Sequence, residues 1–276
     1  MEVHDSSAKI TIFDTTLRDG ELAPGVEWTI AQKLQIAELL EEMQVDVLEI
    51  GYPGAYRRDF DALFMASKRV RNSIICGLAN SIPEEIINVA LAIKPAMRGR
   101  IHIYTPVHQT KDDILAQIAE SIKLARHYQD DIEWSAAYAL NSDRDFLCRS
   151  IETAIHHGAN TINIPDTLGN VTPEQFSELI RSVMHRVPNV EKAIISVHCH
   201  NDRGFAITNS IEALDTGVRQ IECTINGVGA RKGNADLASV VRAIACHANY
   251  HIDVNLNLLK QASALVTQMT GSKPWP

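Results

Sequence analysis

Eight times along this chain, a short apolar, β-branched run gives way to a longer stretch whose apolar residues recur at helical spacing. "KITIFDTTL" precedes "TIAQKLQIAELLEEM", "VDVLEIGYP" precedes "RRDFDALFMASKRV", and "SIICGLAN" precedes "SIPEEIINVALAI". The pattern continues through "RIHIYTPV", "DIEWSAAYA", "NTINIPDTLG", "AIISVHCHND" and "RQIECTINGVG", each with its own helical partner. Strands apolar on both faces suit a parallel sheet covered by helices. Eight such units at this length match a (β/α)8 barrel, which runs to about 250 residues. A doubly wound open sheet is the rival α/β arrangement, and the unit count favours the barrel. The reading is one catalytic barrel over residues 1–250. Residues 251–276 form one extra C-terminal helix, "NLNLLKQASALVTQMTG", and a short tail. Within the third unit, Ser81 is expected to cap its helix, with Glu84 three residues on. Met43, Phe60 and Met65 lie on apolar stripes that read as core.

In such a barrel, chemistry collects at the C-terminal ends of the strands. The first strand ends in Asp14, Arg18 and Asp19, the second carries Glu49, and the fourth His102. The sixth ends in Asp166 and Thr167, the seventh holds His198 and His200, and the eighth runs into Asn226, Arg231 and Asn234. Polar groups inside an apolar barrel are costly unless partnered, so their recurrence at one end suggests a site. His198 and His200 stand at i and i+2 and point to one side of a strand, with Cys199 on the other. With a carboxylate such as Asp19 they make a mixed N/O set suited to Zn, Mn, Fe or Mg. A pair of hydrogen-bonded strand-end histidines is the plainer alternative. The planar fork of Arg18 fits a carboxylate, so beside a metal it would hold a 2-oxo acid, with Thr167 on the other carboxylate oxygen. An ion pair between Arg18 and Glu49 is compatible with that role. The glycines of "NGVGARKGN" read as a tight turn more readily than as a phosphate cradle. Arg57 and Arg58 read as a solvated pair, and His127, His156 and His157 as helix-end residues remote from the site.

A net charge of -8 gives no electrostatic reason to expect nucleic acid or an anionic membrane as partner. No apolar run is long enough to span a bilayer, and "MEVHDSSAKI" lacks the features of a secretory signal. The five cysteines, Cys76, Cys148, Cys199, Cys223 and Cys246, are odd in number and form no CxxC pair. Reduced thiols in a cytoplasmic protein are the expectation.

Several stretches carry a family likeness. "FDTTLRDGELAPG", "VDVLEIGYP", "TINIPDTLG", "ISVHCHND" and "NGVGARKGN" resemble, in order, the 2-isopropylmalate synthase and homocitrate synthase group. That group lies in the metal-dependent TIM-barrel lyase superfamily that includes hydroxymethylglutaryl-CoA lyase. The resemblance implies condensation of an acyl-CoA, usually acetyl-CoA, with a 2-oxo acid. It implies that Asp19, His198, His200 and Asn234 ligate a divalent metal. It also implies that Arg18 and Thr167 hold the 2-oxo acid, that Glu49 supports Arg18, and that His102 lies near the substrate. By the group's habit, the chain is expected to form a homodimer. It reads as a divergent member without the group's C-terminal subdomains.

The departures fall on one half of that chemistry. Leu22 replaces the usual Gln of "RDGEQ", and Arg203 stands where "HNDLG" has Leu. Ala137 and Ala230 stand where the group has carboxylates, and the loop after "IHIYTPV" is shorter. The groups for metal and 2-oxo acid are kept, while two acids suited to deprotonating an acyl thioester are gone. The expectation is an isopropylmalate-synthase-like condensation with altered substrate. An aldolase or lyase acting on a 2-oxo acid is the alternative, and a non-catalytic metal-, ligand- or partner-binding barrel is the alternative of another class.

Overall fold

The computed structural model describes residues 7–109 and 112–271. Eight parallel strands close into a barrel in chain order. They are β2 (Thr11–Asp14), β3 (Val47–Glu49), β4 (Ile74–Asn80), β5 (Gly99–Pro106), β6 (Ile132–Ala137), β7 (Thr161–Asp166), β8 (Ile194–Cys199) and β9 (Gln220–Cys223). Helices α1 (Ile30–Glu42), α2 (Arg57–Arg69), α3 (Pro83–Ile93), α4 (Asp112–Tyr128), α5 (Arg144–His156), α6 (Pro173–Arg186), α7 (Ala206–Glu212) and α8 (Leu237–Ala245) follow successive strands and surround the barrel. The α/β barrel read from the eightfold repeat is therefore the fold. The parallel register β2–β9 closes the ring through Thr11–Gln220 and Asp14–Cys223.

Local chemistry explains where the helices start. Thr29 and Gln32 form a reciprocal capping box on α1, and Thr172 and Gln175 form another on α6. Asp143 and Asp236 cap α5 and α8 through the N–H groups of Phe146 and Ser239. The expected cap at Ser81 does not form. The N-cap is Ile82, and the Ser81 hydroxyl instead meets Thr105 Oγ1 and the carbonyl of Tyr104 on the neighbouring strand. Partners in the sheet offer that buried hydroxyl more than an exposed helix end would.

The main core lies between barrel and helices and includes Leu40, Met43, Ile75, Ile103, Trp134, Phe176 and Val240. Met43 belongs to it as expected, but Met65 is 38% exposed and Phe60 only half-buried. Helix α2 turns Ala62, Leu63 and Ala66 inward, and Met65 falls outside that stripe. Inside the barrel, a small apolar cluster of Phe13, Val47 and Cys76 packs separately from the main core. Much of the remaining interior is polar. Arg100 bonds Asp131, Glu133 and Gln220, and Gln220 in turn donates to Glu133 and Ser196. The strands are thus less apolar inside than the sequence reading supposed, and mutual bonding offsets the desolvation of these groups.

Two additions lie outside the repeat. Strands β1 (Ala8–Lys9) and β10 (Tyr250–His251) pair in parallel, tying the chain before the barrel to the chain after it. Helix α9 (Leu259–Thr270) buries Leu259, Ala262 and Val266 and accepts hydrogen bonds from Asn226 at Ser263 O and Thr267 Oγ1. The sequence-read tail at 272–276 lies outside the described residues. No helix among the described residues is long and apolar enough to cross a membrane.

Candidate metal and substrate site

Strand alternation brings His198 and His200 to one side, their ring centroids 4.8 Å apart, while Cys199 turns into the core. The loop after β9 folds back on the end of β8. Asn234 bridges to His200, and Asn201 N–H donates to Gly233 O. Asp19 arrives from a short 3-10 turn after β2. Ligand atoms of Asp19, His198 and His200 lie within 4.8 Å of one another, all buried. Asn234 joins them: its Oδ1 is 2.8 Å from His198 Nε2, and its Nδ2 donates to Asp19 Oδ1 at 2.9 Å. Opposite His198 on β9, Glu222 places Oε2 2.6 Å from His198 Nδ1.

The electrostatics of these groups differ sharply. Burial opposes the charge of Asp19, but Arg18 and the two imidazoles outweigh it and hold its carboxyl well below the usual carboxylate range. Burial also opposes protonation of His198, yet Glu222 and Asp19 raise its pKa. His200 goes the other way, lowered to about 3 by burial and by the neighbouring His198. It is therefore neutral, and its Nδ1 is buried with no hydrogen-bond partner. A buried lone pair or N–H without a partner is unfavourable unless something else satisfies it.

Gly229 supplies a second sign of close packing on a ligand set. A Cβ there would stand 2.1 Å from Asn234 Nδ2 and 2.9 Å from Asp19 Oδ1. Only a bare α-carbon lets these two groups meet. The expected turn is also present, with Gly227 and Gly233 at φ of 63° and 86°. Two imidazoles, a carboxylate and an amide oxygen are a donor set that fits a divalent cation.

Beside this cluster runs a second chain of bonds. Glu49 is fully enclosed and accepts from Thr15 Oγ1 and Arg18 Nε, each at 2.6 Å, and lies 2.8 Å from His102 Nδ1. Burial works against its ionisation, but Arg18 and His102 bring its pKa down. His102 Nε2 is 2.7 Å from Ser135 Oγ, which also accepts from Asn163 Nδ2. Arg18 Nη1 bonds Asp19 Oδ2 at 2.7 Å, so the guanidinium spans both clusters. The ion pair of Arg18 with Glu49 is thus present.

Arg18, Asp19, His102, Thr167, His198 and His200 all line one cavity of about 470 Å³. Glu49 and Asn234 stand just behind its wall. Thr167 accepts the N–H of Tyr138 on its Oγ1. Ala137 is on the wall, and Ala230 approaches Asp19 through its backbone N–H. Four of the strand-end residues do not reach the cavity. Asp14 folds onto Thr16, Asp166 accepts from Asn170 N–H, and Asn226 points to α9. Arg231 pairs with Asp202 and donates to the Thr167 carbonyl instead of facing inward. Arg57 is exposed, as expected, and Arg58 is part-exposed. Arg58 lines the cavity and bonds Glu21 and Glu27.

The HMGL-like family profile matches residues 9–266. The chain belongs to the HMGL-like family. Curated relatives within reach of that match include 2-isopropylmalate synthase of Aquifex aeolicus, 44% identical over 96% of this chain and 53% of that protein. The 2-isopropylmalate synthase of Rhodopseudomonas palustris strain BisB5 is 46% identical over 95% of this chain and 52% of its own length. This HMGL-like chain therefore spans about half the length of the curated relatives it matches. Among solved structures, HMG-CoA lyase of Bacillus subtilis aligns with a TM-score of 0.82 at 19% identity, covering 97% of this chain and 95% of that one. An HMG-CoA lyase of Acinetobacter baumannii, solved with coenzyme A and 3-methylmalate, aligns at 0.79 and 19%, covering 99% and 94%. At such identities the structural likeness speaks for the fold.

Sequence reasoning did not single out Glu222, Ser135 and Asn163, which brace His198 and His102 in this HMGL-like barrel. A signal was available. "RIHIY", "EWS" and "RQIEC" each alternate polar and apolar residues, marking a polar inner face. Lys33 was also missed. It lies on α1 yet is 1% exposed, and binds Leu17 O, Ile50 O and the carboxylates of Asp59 and Glu21. Those carbonyls adjoin Arg18 and Glu49, so Lys33 pins both segments from outside.

Proposed function

We propose that this chain is a divalent-metal-dependent enzyme that forms a carbon–carbon bond at a 2-oxo acid, by an isopropylmalate-synthase-like condensation with an acyl-CoA or related donor. The observation that carries the reading is the convergence of Asp19, His198 and His200 on one cavity, backed by Asn234 bonded to Asp19 and His198, with His200 Nδ1 unpartnered and Gly229 bare against the cluster. In this reading those four residues hold Mn, Mg, Zn or Fe, which when bound supplies Lewis acidity toward a carbonyl oxygen. Likeness to the curated 2-isopropylmalate synthases supports the reaction class. The same reading takes the working unit as a cytoplasmic homodimer.

The side chains have distinct tasks. Arg18 binds the carboxylate of the 2-oxo acid. Its Nε and Nη1 are held by Glu49 and Asp19, leaving Nη2 to donate into the cavity. Thr167, whose Oγ1 already accepts from Tyr138, donates its own proton to the other carboxylate oxygen. Glu49 fixes the guanidinium plane. His102 is bonded on both ring nitrogens, so its part is to hold Glu49 and Ser135 in place. In the condensation the donor α-carbon gives up a proton, and its electron pair forms the new bond to the keto carbon. The keto oxygen takes up a proton to become a hydroxyl.

Ala137 on the cavity wall favours a second reading. Without a carboxylate there, a donor that is already acidic, or an aldol adduct that is cleaved, needs less from the protein. Metal-loaded protein incubated with 2-oxo acids, with and without acyl-CoAs, separates the readings by mass spectrometry of the products. Condensation requires the acyl-CoA, and cleavage proceeds without it. The His200→Ala variant should lose either activity. Arg18→Ala should weaken 2-oxo acid binding about ten-fold or more, on the strength of a charge-assisted bond. Product formation that survives His200→Ala, or unaltered affinity in Arg18→Ala, would sink the assignment.

A further inference from the structure

One pair of cavity-wall residues is used by none of these tasks. Tyr104 lies two residues along β5 from His102, so both face inward. Tyr52 follows the end of β3, and the two rings meet edge to face with centroids 6.1 Å apart. Both line the cavity and are half-buried.

The hydroxyl groups are unequally satisfied. Tyr52 donates to Glu85 Oε2 at 2.6 Å, and the same oxygen accepts Asn80 N–H at 2.7 Å. Glu85 reaches that position past Gly54, where a Cβ would lie 2.4 Å from Glu85 Cγ. The Tyr52 proton is therefore committed, and its oxygen keeps an open lone pair. Tyr104 Oη accepts from Asn80 Nδ2 at 3.3 Å, and among the described residues its own proton has only the Tyr52 oxygen, also at 3.3 Å. A good O–H···O bond is about 2.7–2.8 Å long. The wall thus offers one loosely held donor, Tyr104 O–H, beside one acceptor, Tyr52 Oη.

We propose that the Tyr52–Tyr104 pair is a subsite for an uncharged oxygen of the substrate, a hydroxyl or a carbonyl. The inference rests on the 2-oxo acid reading above and adds the polarity of what the cavity accepts. A hydroxyl matches both functions, accepting from Tyr104 and donating to Tyr52. A carbonyl uses Tyr104 alone. A second carboxylate does not fit, because Glu85 backs the pair with like charge. A hydrocarbon group there would strip water from Tyr104 and return no bond. The wall also carries the apolar side chains of Leu22, Leu78, Ala137 and Pro165. A few placed polar groups in such a wall set orientation and selectivity.

The oxygen comes either from the side chain of the 2-oxo acid or from the acyl donor, and two measurements on the metal-loaded protein distinguish them. The first titrates 4-hydroxy-2-oxobutanoate against its near-isostere 2-oxopentanoate by calorimetry, in wild type, Tyr104→Phe and Tyr52→Phe. The second measures kcat and KM for acetyl-CoA in the same proteins, with thermal melting to verify that each is folded. If the 2-oxo acid supplies the oxygen, wild type prefers the hydroxylated compound by about 3–10-fold, the worth of one hydrogen bond, and Tyr104→Phe abolishes the preference. If the donor supplies it, 2-oxo acid affinities stay level while kcat/KM for acetyl-CoA falls by a similar factor in Tyr104→Phe. Folded Tyr104→Phe protein with neither change overturns the subsite alone. Failure of every 2-oxo acid to bind wild type overturns the functional reading and this inference with it.

Discussion

Replacing Gly229 with alanine adds one methyl group and tests the ligand cluster directly. The new carbon would sit 2.1 Å from Asn234 Nδ2, far inside van der Waals contact, so the amide must move. That nitrogen now donates to Asp19 Oδ1 at 2.9 Å and Val228 O at 3.0 Å, and the same amide meets His198 Nε2 through its oxygen. One of these bonds is to a charged group, and all are buried. Losing two of them costs about 3 kcal/mol. For a domain of this size that is a fall in Tm of roughly 6–12 °C at about 2–4 °C per kcal/mol. Displacing Asn234 also moves the amide oxygen that would face the cation, and disturbing a ligand or its supports typically weakens metal binding about 10–100-fold. Calorimetric titration of the chelator-treated protein with Mn2+ or Zn2+ reads the affinity, and scanning calorimetry reads the Tm. A folded Gly229→Ala protein that binds metal as tightly as wild type would refute the claim that Asn234 and Asp19 share one ion.

Three further outcomes follow from the same structure. Glu222→Gln leaves His198 without its carboxylate partner, so metal affinity should fall about 10–100-fold in the same titration while the fold persists. Lys33→Met strands the buried carboxylate of Asp59 and removes the anchor of Leu17 O and Ile50 O, so denaturant unfolding should show a loss of about 3–5 kcal/mol. Asp14 has its pKa raised from the usual carboxylate range to about 7, chiefly by burial. The folded state therefore binds its proton more tightly than the unfolded chain, and this residue's contribution to stability declines as pH rises from about 4 to 7. Subtracting the pH–stability curve of Asp14→Asn from that of wild type should isolate this decline. A flat difference between those pH values would contradict it.

The cap at Ser81 shows how local reasoning fails. A serine three residues before a glutamate is a good helix start when nothing else competes, but here Thr105 and Tyr104 compete from the next strand. Met65 failed for a related reason. Periodicity gives the spacing of a stripe, but which side meets the barrel depends on how α2 is set down on it. His198, His200 and Asp19 were legible because strand alternation and the strand-end rule are local consequences of backbone geometry. Glu222 was legible in principle and overlooked, since its alternation with Gln220 marks an inward face.

By itself, the order of residues determined the eightfold alternation, and hence a parallel barrel with its chemistry at one rim. Strand and helix periods are properties of the backbone, and crossover handedness and closure leave few ways to assemble such units. Only the tertiary structure decided which polar side chains share the cavity and which, like Asp14, Asp166 and Asn226, turn away. It also decided that Asn234 reaches Asp19 across 215 positions, that Lys33 braces Arg18 and Glu49 from beneath, and that Tyr104 is left with a poorly held proton. Those outcomes depend on distances of a few tenths of an ångström between segments remote in sequence, set by the packing of the whole barrel.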